Sequence, residues 1–233
     1  PPSLSRTFSP EDVSMDLTMC GLLPVRAEEL ARLYREHRNW NQVKDSWYEE
    51  RRANRSTKGS SQKIYRVLSS RLKNAPATLP NPSELPLILD TCSSPLDKAQ
   101  VLYLYLVADD ALVRYVVHEY ARRLSKGIHE PLDFSNETLI SMLSQFEFSD
   151  QTPFDYADST TVRWCEGLRS VMREIGVLED QQTVVGESPL LGETPLLVAM
   201  GYSYEENQKQ LFGSPTGLQY LFQPSGRWEE LYD

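Results

Sequence analysis

The sequence contains one stretch that is rich in cations and free of carboxylates. From Arg51 to Lys73 it has eight Lys or Arg residues and no Asp or Glu, although the formal net charge of the chain is −9. Exposed helix faces usually mix the two signs, because acid–base pairs one turn apart stabilise a helix. Neighbouring cations repel one another unless an anion neutralises them, so this stretch predicts a binding site for a polyanion.

Hydroxyl groups accompany these cations. Lys63, Arg66 and Ser70 are three and four residues apart and share one face of a helix predicted over 61–73. Ser60, Ser61 and the backbone amides at the positive N-terminus of that helix add donors for phosphate. Phosphate contacts need no side chain that reads bases, so we expect mostly contacts to the DNA backbone. The predicted DNA-binding residues are Arg51, Arg52, Arg55, Lys58, Ser60, Ser61, Lys63, Arg66, Arg71 and Lys73.

Two other interpretations of the basic stretch stay open at this point. Runs of Lys and Arg are often no more than a solvated helix face. Two helices joined by a turn also fit a helix-turn-helix motif, in which the second helix enters a major groove. The turn at 54–60 is longer than is usual for that motif.

Signatures of catalysis are missing from the sequence. "TKGSS" lacks the spacing of a phosphate-binding loop, and no G-x-S-x-G, H-E-x-x-H or G-x-G-x-x-G occurs. The paired acids in "DYADS" and "VADDAL" are typical of caps and solvated turns. His118 lies in an apolar helix and is interpreted as a core or groove histidine. We therefore predict no enzymatic activity, no cofactor and no small-molecule substrate.

Cysteine content and hydropathy indicate the cellular compartment of the protein. The three cysteines are far apart and the three histidines are scattered, which argues against disulfides and against a metal site. The longest apolar run, Val101 to Ala108, is far shorter than the ~20 residues that span a bilayer. No signal peptide is visible. The sequence predicts a cytoplasmic protein without a membrane segment.

The periodicity of apolar residues predicts a mainly α-helical chain. We expect an all-α, compact multi-helix bundle with a basic three-helix unit near the N-terminus and a mixed C-terminal tail. The predicted segments are an irregular arm at 1–20, a basic three-helix subdomain at 21–75, a Pro-rich linker at 76–86, a helical core at 87–180 and a mixed C-terminal region at 181–233.

Local signals predict several helix ends. Asn39 is expected to cap a helix running from Trp40 to Ala53, and Ser94 to cap a buried helix that bends near Asp109–Asp110. A further helix is expected to run as far as Gly127, and Gly176 to end a late one. "QTVVG" is a predicted strand, "TPLLVAMGYS" a short helix and the final "PSGRWEELYD" a loop.

The segment from Gly21 to Leu72 resembles the start of the BrxA family, accessory proteins of BREX phage-defence systems. The matching features are Gly21-Leu22-Leu23, Asn39-Trp40 with Val43, Glu49-Glu50 with Asn54, a Thr/Ser-rich turn and Arg71-Leu72; "LRSVMREIGVLED" resembles the family's late helix. Arg51, Arg52 and Ala53 depart from the family pattern, which usually continues from the acidic pair straight to the Asn. The resemblance implies an all-helical fold similar to the NusB antitermination factor, a cytoplasmic location, no enzymatic activity and binding to double-stranded DNA.

Two functional hypotheses follow. The first is a non-catalytic DNA-binding accessory protein that uses the basic helical face and has duplex DNA and other BREX components as partners. The second is a protein-interaction adaptor that docks the same face on an acidic surface of a larger defence component. Both hypotheses use the same cations, so binding of duplex DNA by the purified protein alone distinguishes them.

Overall fold

Helices make up most of the structure, a computed structural model that describes residues 4–49, 58–125, 131–203 and 216–224. Three short 3-10 helices (Leu4–Thr7, Pro10–Asp12 and Asp16–Thr18) lie in the described part of the predicted arm. The α-helices are α1 (Pro24–His37), α2 (Trp40–Glu49), α3 (Lys58–Lys73), α4 (Leu85–Asp90), α5 (Pro95–Asp109), α6 (Ala111–Ser125), α7 (Asn136–Leu143), α8 (Asp158–Glu174), α9 (Glu193–Tyr202) and α10 (Thr216–Tyr220). Two short strands, β1 (Leu132–Asp133) and β2 (Val185–Gly186), pair antiparallel. The prediction of an all-α fold is confirmed; its likeness to NusB stays a prediction.

The predicted helix signals act as expected where the structure describes them. The Asn39 side chain accepts from the backbone N of Asn41 at 2.9 Å, and that of Ser94 accepts from the backbone N of Asp97 at 3.1 Å. Gly176 follows α8 with a φ of 80°, a left-handed conformation that side chains with a Cβ rarely adopt. β2 lies in the predicted strand, and α9 matches the helix predicted from "TPLLVAMGYS".

α3 begins three residues earlier than predicted. It starts at Lys58, so Gly59 and Ser60 belong to its first turn and not to the preceding loop. A glycine is tolerated there because the first turn has few hydrogen bonds to lose, and a Cβ at Gly59 would meet nothing within 4 Å. The predicted ends of the second helix at Ala53 and of the sixth at Gly127, and nearly all of the final loop, lie outside the described residues.

The core is organised around α5. From Val101 to Val107 each of its residues is at most 3% exposed, which confirms that this nearly all-apolar helix is central. α1, α3, α6, α8, α9 and α10 pack against it. The chain turns at Asp110, whose carboxylate accepts from the backbone N of Leu112 and of Val113, both at 3.0 Å, and so caps α6.

The hydrophobic core draws on residues from every predicted segment. Phe8 and Leu17 of the predicted arm are buried, as are Leu79 and Leu85 of the predicted linker and Phe222 near the end. All belong to one continuous apolar cluster. The boundaries of the five segments predicted from the sequence stay a prediction. Within the described residues, no helix is long and apolar enough to cross a membrane.

Candidate nucleic-acid interface

Lys63 and Arg66 lie on the exposed side of α3. The opposite side buries Ile64, Leu68 and Leu72, each at most 4% exposed, and this packing fixes the orientation of the helix. Lys63 makes one described contact, a 3.6 Å approach of its Nζ to the Sδ of Met19. The sequence spacing that placed these two cations on one surface therefore holds in the structure.

The acid that the basic stretch lacks comes from elsewhere in the chain. An Nη of Arg66 lies 2.8 Å from Oδ1 of Asp16, fifty residues earlier, and the Arg66 side chain is 66% exposed. At that exposure an ion pair contributes at most ~1 kcal/mol, because water screens it and two side chains must be ordered. Arg66 is therefore held loosely and can exchange Asp16 for another anion.

The first turn of α3 lies next to these cations. Ser60 is exposed and Ser61 half-buried, and Lys58 is the first residue of the helix. The positive end of the helix dipole at this turn favours a negative group. Arg51, Arg52 and Arg55 lie outside the described residues.

The prediction for Arg71 needs correction, because this residue is not on the surface. Arg71 is 4% exposed, and its guanidinium donates to the carbonyl oxygens of Gly21 at 2.7 Å and Cys20 at 3.1 Å. It stands seven residues after Ile64 and so falls on the buried stripe of α3. The helical period of α3 predicts that Arg71 is buried, whereas its charge predicts a position on the surface.

Arg71 also lies near the buried carboxyl group of Asp110 and the half-buried carboxyl group of Glu174. Burial raises the pKa of Asp110 to about 6, while its hydrogen bonds at the start of α6 and the charge of Arg71 act in the opposite direction. Burial likewise raises the pKa of Glu174, again against the charge of Arg71. Arg71 thus joins the N-terminal segment to the core.

Lys73 ends α3 beside an aromatic pair. Its Nζ lies 4.7 Å from the centroid of the Trp40 ring, and Trp40 stacks on Tyr34 with centroids 4.3 Å apart. Lys73 is exposed, yet this cation–π contact already engages its charge. Ser70 donates to Asp109 at 3.2 Å, so the far end of the face carries an acid as well.

A cavity with a mixed polar and apolar lining adjoins the exposed cations. Its volume is about 320 Å³, and its lining residues are Met19, Cys20, Ser60, Lys63, Ile64 and Val67. Met19 is 49% exposed at the edge. Sequence reasoning missed both Met19 and Asp16, because neither carries a local signal that joins it to α3. No group of three or more His, Cys, Asp or Glu side chains within the described residues could hold a metal ion.

The fold and this surface define a small helical protein that presents cations on one helix. A family model for BrxA matches residues 13–191, and the chain therefore belongs to the BrxA family, whose members are BREX-associated defence proteins. A crystal structure of an uncharacterized protein from Magnetospirillum magneticum has a similar fold, with a TM-score of 0.64 and 14% sequence identity over 90% of this chain and 97% of that one. No match was found among curated proteins.

Proposed function

We propose that the chain is a non-catalytic, cytoplasmic, DNA-binding accessory protein of a BREX-type anti-phage defence system. It contacts duplex DNA mainly through phosphates, using the basic face of α3, which we define as Ser60, Ser61, Lys63 and Arg66. The observation that carries the proposal is the pair of exposed cations beside the first turn of α3. Cations, hydroxyls and helix amides on one surface are the donors that a phosphate backbone needs.

Further residues extend this face in the proposal. Arg51, Arg52, Arg55 and Lys58 directly precede it in the sequence, and Lys73 ends the same helix. Arg71 is left out, because its guanidinium is buried on two carbonyl oxygens.

Membership of the BrxA family supports the defence context of the proposal. It also favours other BREX components as protein partners.

The adaptor function stays a second candidate because of the cavity beside Lys63. The cavity combines apolar walls from Ile64, Val67 and the half-exposed Met19 with the polar groups of Ser60 and Lys63, a mixed lining that suits a protein segment. A protein partner that docks here would bring an acidic surface to Lys63 and an apolar residue to the cavity.

The experiment that tests the proposal is fluorescence anisotropy with labelled duplex DNA at several salt concentrations. Lys63→Glu is compared with Arg163→Glu, a matched charge reversal at an exposed cation of α8. We expect wild type to bind, with an affinity that falls steeply as salt rises. Lys63→Glu should lower the affinity and make the slope of log K against log salt shallower by about 0.9, the contribution of one phosphate contact. Arg163→Glu should bind as wild type does.

Absence of binding by the wild type at low salt would rule out the DNA-binding function and leave the adaptor. Equal losses in Lys63→Glu and Arg163→Glu would show that net charge, and not the face of α3, attracts the DNA.

A further inference from the structure

A second stretch of the chain has the opposite charge pattern to the basic stretch. From Gly127 to Val162 the sequence has no Lys or Arg and seven acids, namely Glu130, Asp133, Glu137, Glu147, Asp150, Asp155 and Asp158. Its described part contains β1, α7, the loop that follows and the start of α8.

An apolar groove opens within this acidic stretch, between α7 and the start of α8. Its volume is about 570 Å³, and its lining residues are Ile140, Leu143, Ser144, Phe154, Asp155, Tyr156, Asp158 and Thr161. Ile140 is 38% exposed. The half-buried rings of Phe154 and Tyr156 lie with centroids 4.8 Å apart. Partly exposed aromatic and aliphatic side chains around one concave site are typical of a docking groove.

Two carboxylates at this groove are unengaged. Within the part of the chain that the structure describes, neither Asp155 nor Asp158 has a hydrogen bond or ion pair to its side chain, and both are exposed. Two acids of the loop between α7 and α8 are already engaged: Glu147 pairs with Arg6, and Asp150 accepts from Thr152. Asp158 begins α8, where its charge also suits the helix dipole. Asp155 has no such structural role.

We propose that this groove docks a segment of a partner protein that inserts an apolar side chain between α7 and α8 and places Lys or Arg beside Asp155 and Asp158. Charge complementarity identifies this occupant, because the unengaged groups at the rim are both anionic. Duplex DNA would be repelled by them. A second copy cannot insert Ile64, Tyr65 or Leu68 of its own α3, because these side chains are buried in the core; docking of a second copy through any other surface is an outcome of the test below. The proposal is independent of DNA binding by the basic face.

The probe is a set of short fluorescent peptides in a Gly-Ser background, each with one Leu, Phe or Trp flanked by Lys, beside matched peptides flanked by Glu. Anisotropy measures their binding to the full chain. We expect binding only of the Lys-flanked peptides. Asp155→Asn/Asp158→Asn should weaken it roughly tenfold, as expected for two exposed charge pairs. Ile140→Ser should weaken it as well by removing apolar surface.

The control variant is Glu179→Gln/Glu187→Gln, which neutralises two exposed acids outside the groove and should leave peptide affinity unchanged. The proposal is overturned if no Lys-flanked peptide binds, if Glu-flanked peptides bind as well, or if the control weakens binding equally. Analytical sedimentation of the peptide-free protein measures its oligomeric state. A dimer that Asp155→Asn/Asp158→Asn dissociates would assign the groove to a second copy and would also overturn the proposal.

Discussion

Arg71→Met should destabilise the protein strongly without acting through the DNA-binding face. Methionine keeps much of the side-chain volume but removes the donors that the carbonyls of Cys20 and Gly21 use, and it removes the cation near Asp110 and Glu174. Breaking a buried charged interaction by removing one partner typically costs about 3–5 kcal/mol, because the remaining groups stay buried without compensation. We therefore expect the free energy of unfolding to fall by about that amount.

Urea unfolding followed by fluorescence measures this loss, with Arg66→Met as the matched control on the same helix. Arg66 is 66% exposed and pairs only with Asp16 among the described residues, so its replacement should cost at most ~1 kcal/mol. The reasoning is refuted if Arg71→Met is as stable as Arg66→Met. Loss of DNA binding by a fully stable Arg71→Met would place the guanidinium on the surface, as the sequence alone suggested.

Three further predictions concern the arm, the buried acid and a close helix contact. Asp16→Asn releases Arg66 from its ion pair and should raise the affinity for duplex DNA severalfold in anisotropy, whereas a lower affinity would contradict the exchange of anions. Burial raises the pKa of Asp110 from 3.8 to about 6, so the folded protein binds this proton more tightly than the unfolded chain does. The free energy of unfolding should therefore fall by up to about 3 kcal/mol as the pH rises from about 4 to about 6. Asp110→Asn, which retains an acceptor for the cap, should remove that part of the pH dependence of urea unfolding. Gly167→Ala should lower the free energy of unfolding by about 1–3 kcal/mol, since its Cβ would lie 2.3 Å from the carbonyl oxygen of Leu17; an unchanged urea midpoint would contradict this packing.

Features that depend on near neighbours in the chain were predictable. Asn39, Ser94 and Gly176 act on groups within a few residues of themselves, and the structure confirms all three roles. Features that depend on tertiary contacts could not be predicted from the sequence. The two-residue strand β1 is defined by its pairing with β2, and α10 is a helix of five residues that packs on α9. No local pattern distinguishes such segments from loops.

In the candidate site, too, local features were predictable and tertiary contacts were not. The pairing of Arg66 with Asp16 joins residues fifty positions apart, and no spacing rule indicates it. The burial of Arg71 was indicated by the helical period, yet its charge favoured a surface position. Periodicity was the better guide there, because two backbone carbonyls compensate the buried guanidinium.

The cations of the basic stretch therefore differ in how far they are available to DNA. Arg71 is buried in the core, Arg66 pairs with Asp16, and Lys73 lies over the Trp40 ring. Within the described residues, the one hydrogen bond of the Lys63 side chain is to the thioether of Met19. Each phosphate contact contributes about 0.9 to the salt slope, so Lys63 and Arg66 alone predict a slope near −2. A steeper slope requires contacts beyond this pair, for which Arg51, Arg52 and Arg55 are the first candidates, since they directly precede α3. The salt slope of the wild type thus tells whether the acid-free stretch acts as a whole or only through the exposed face of α3.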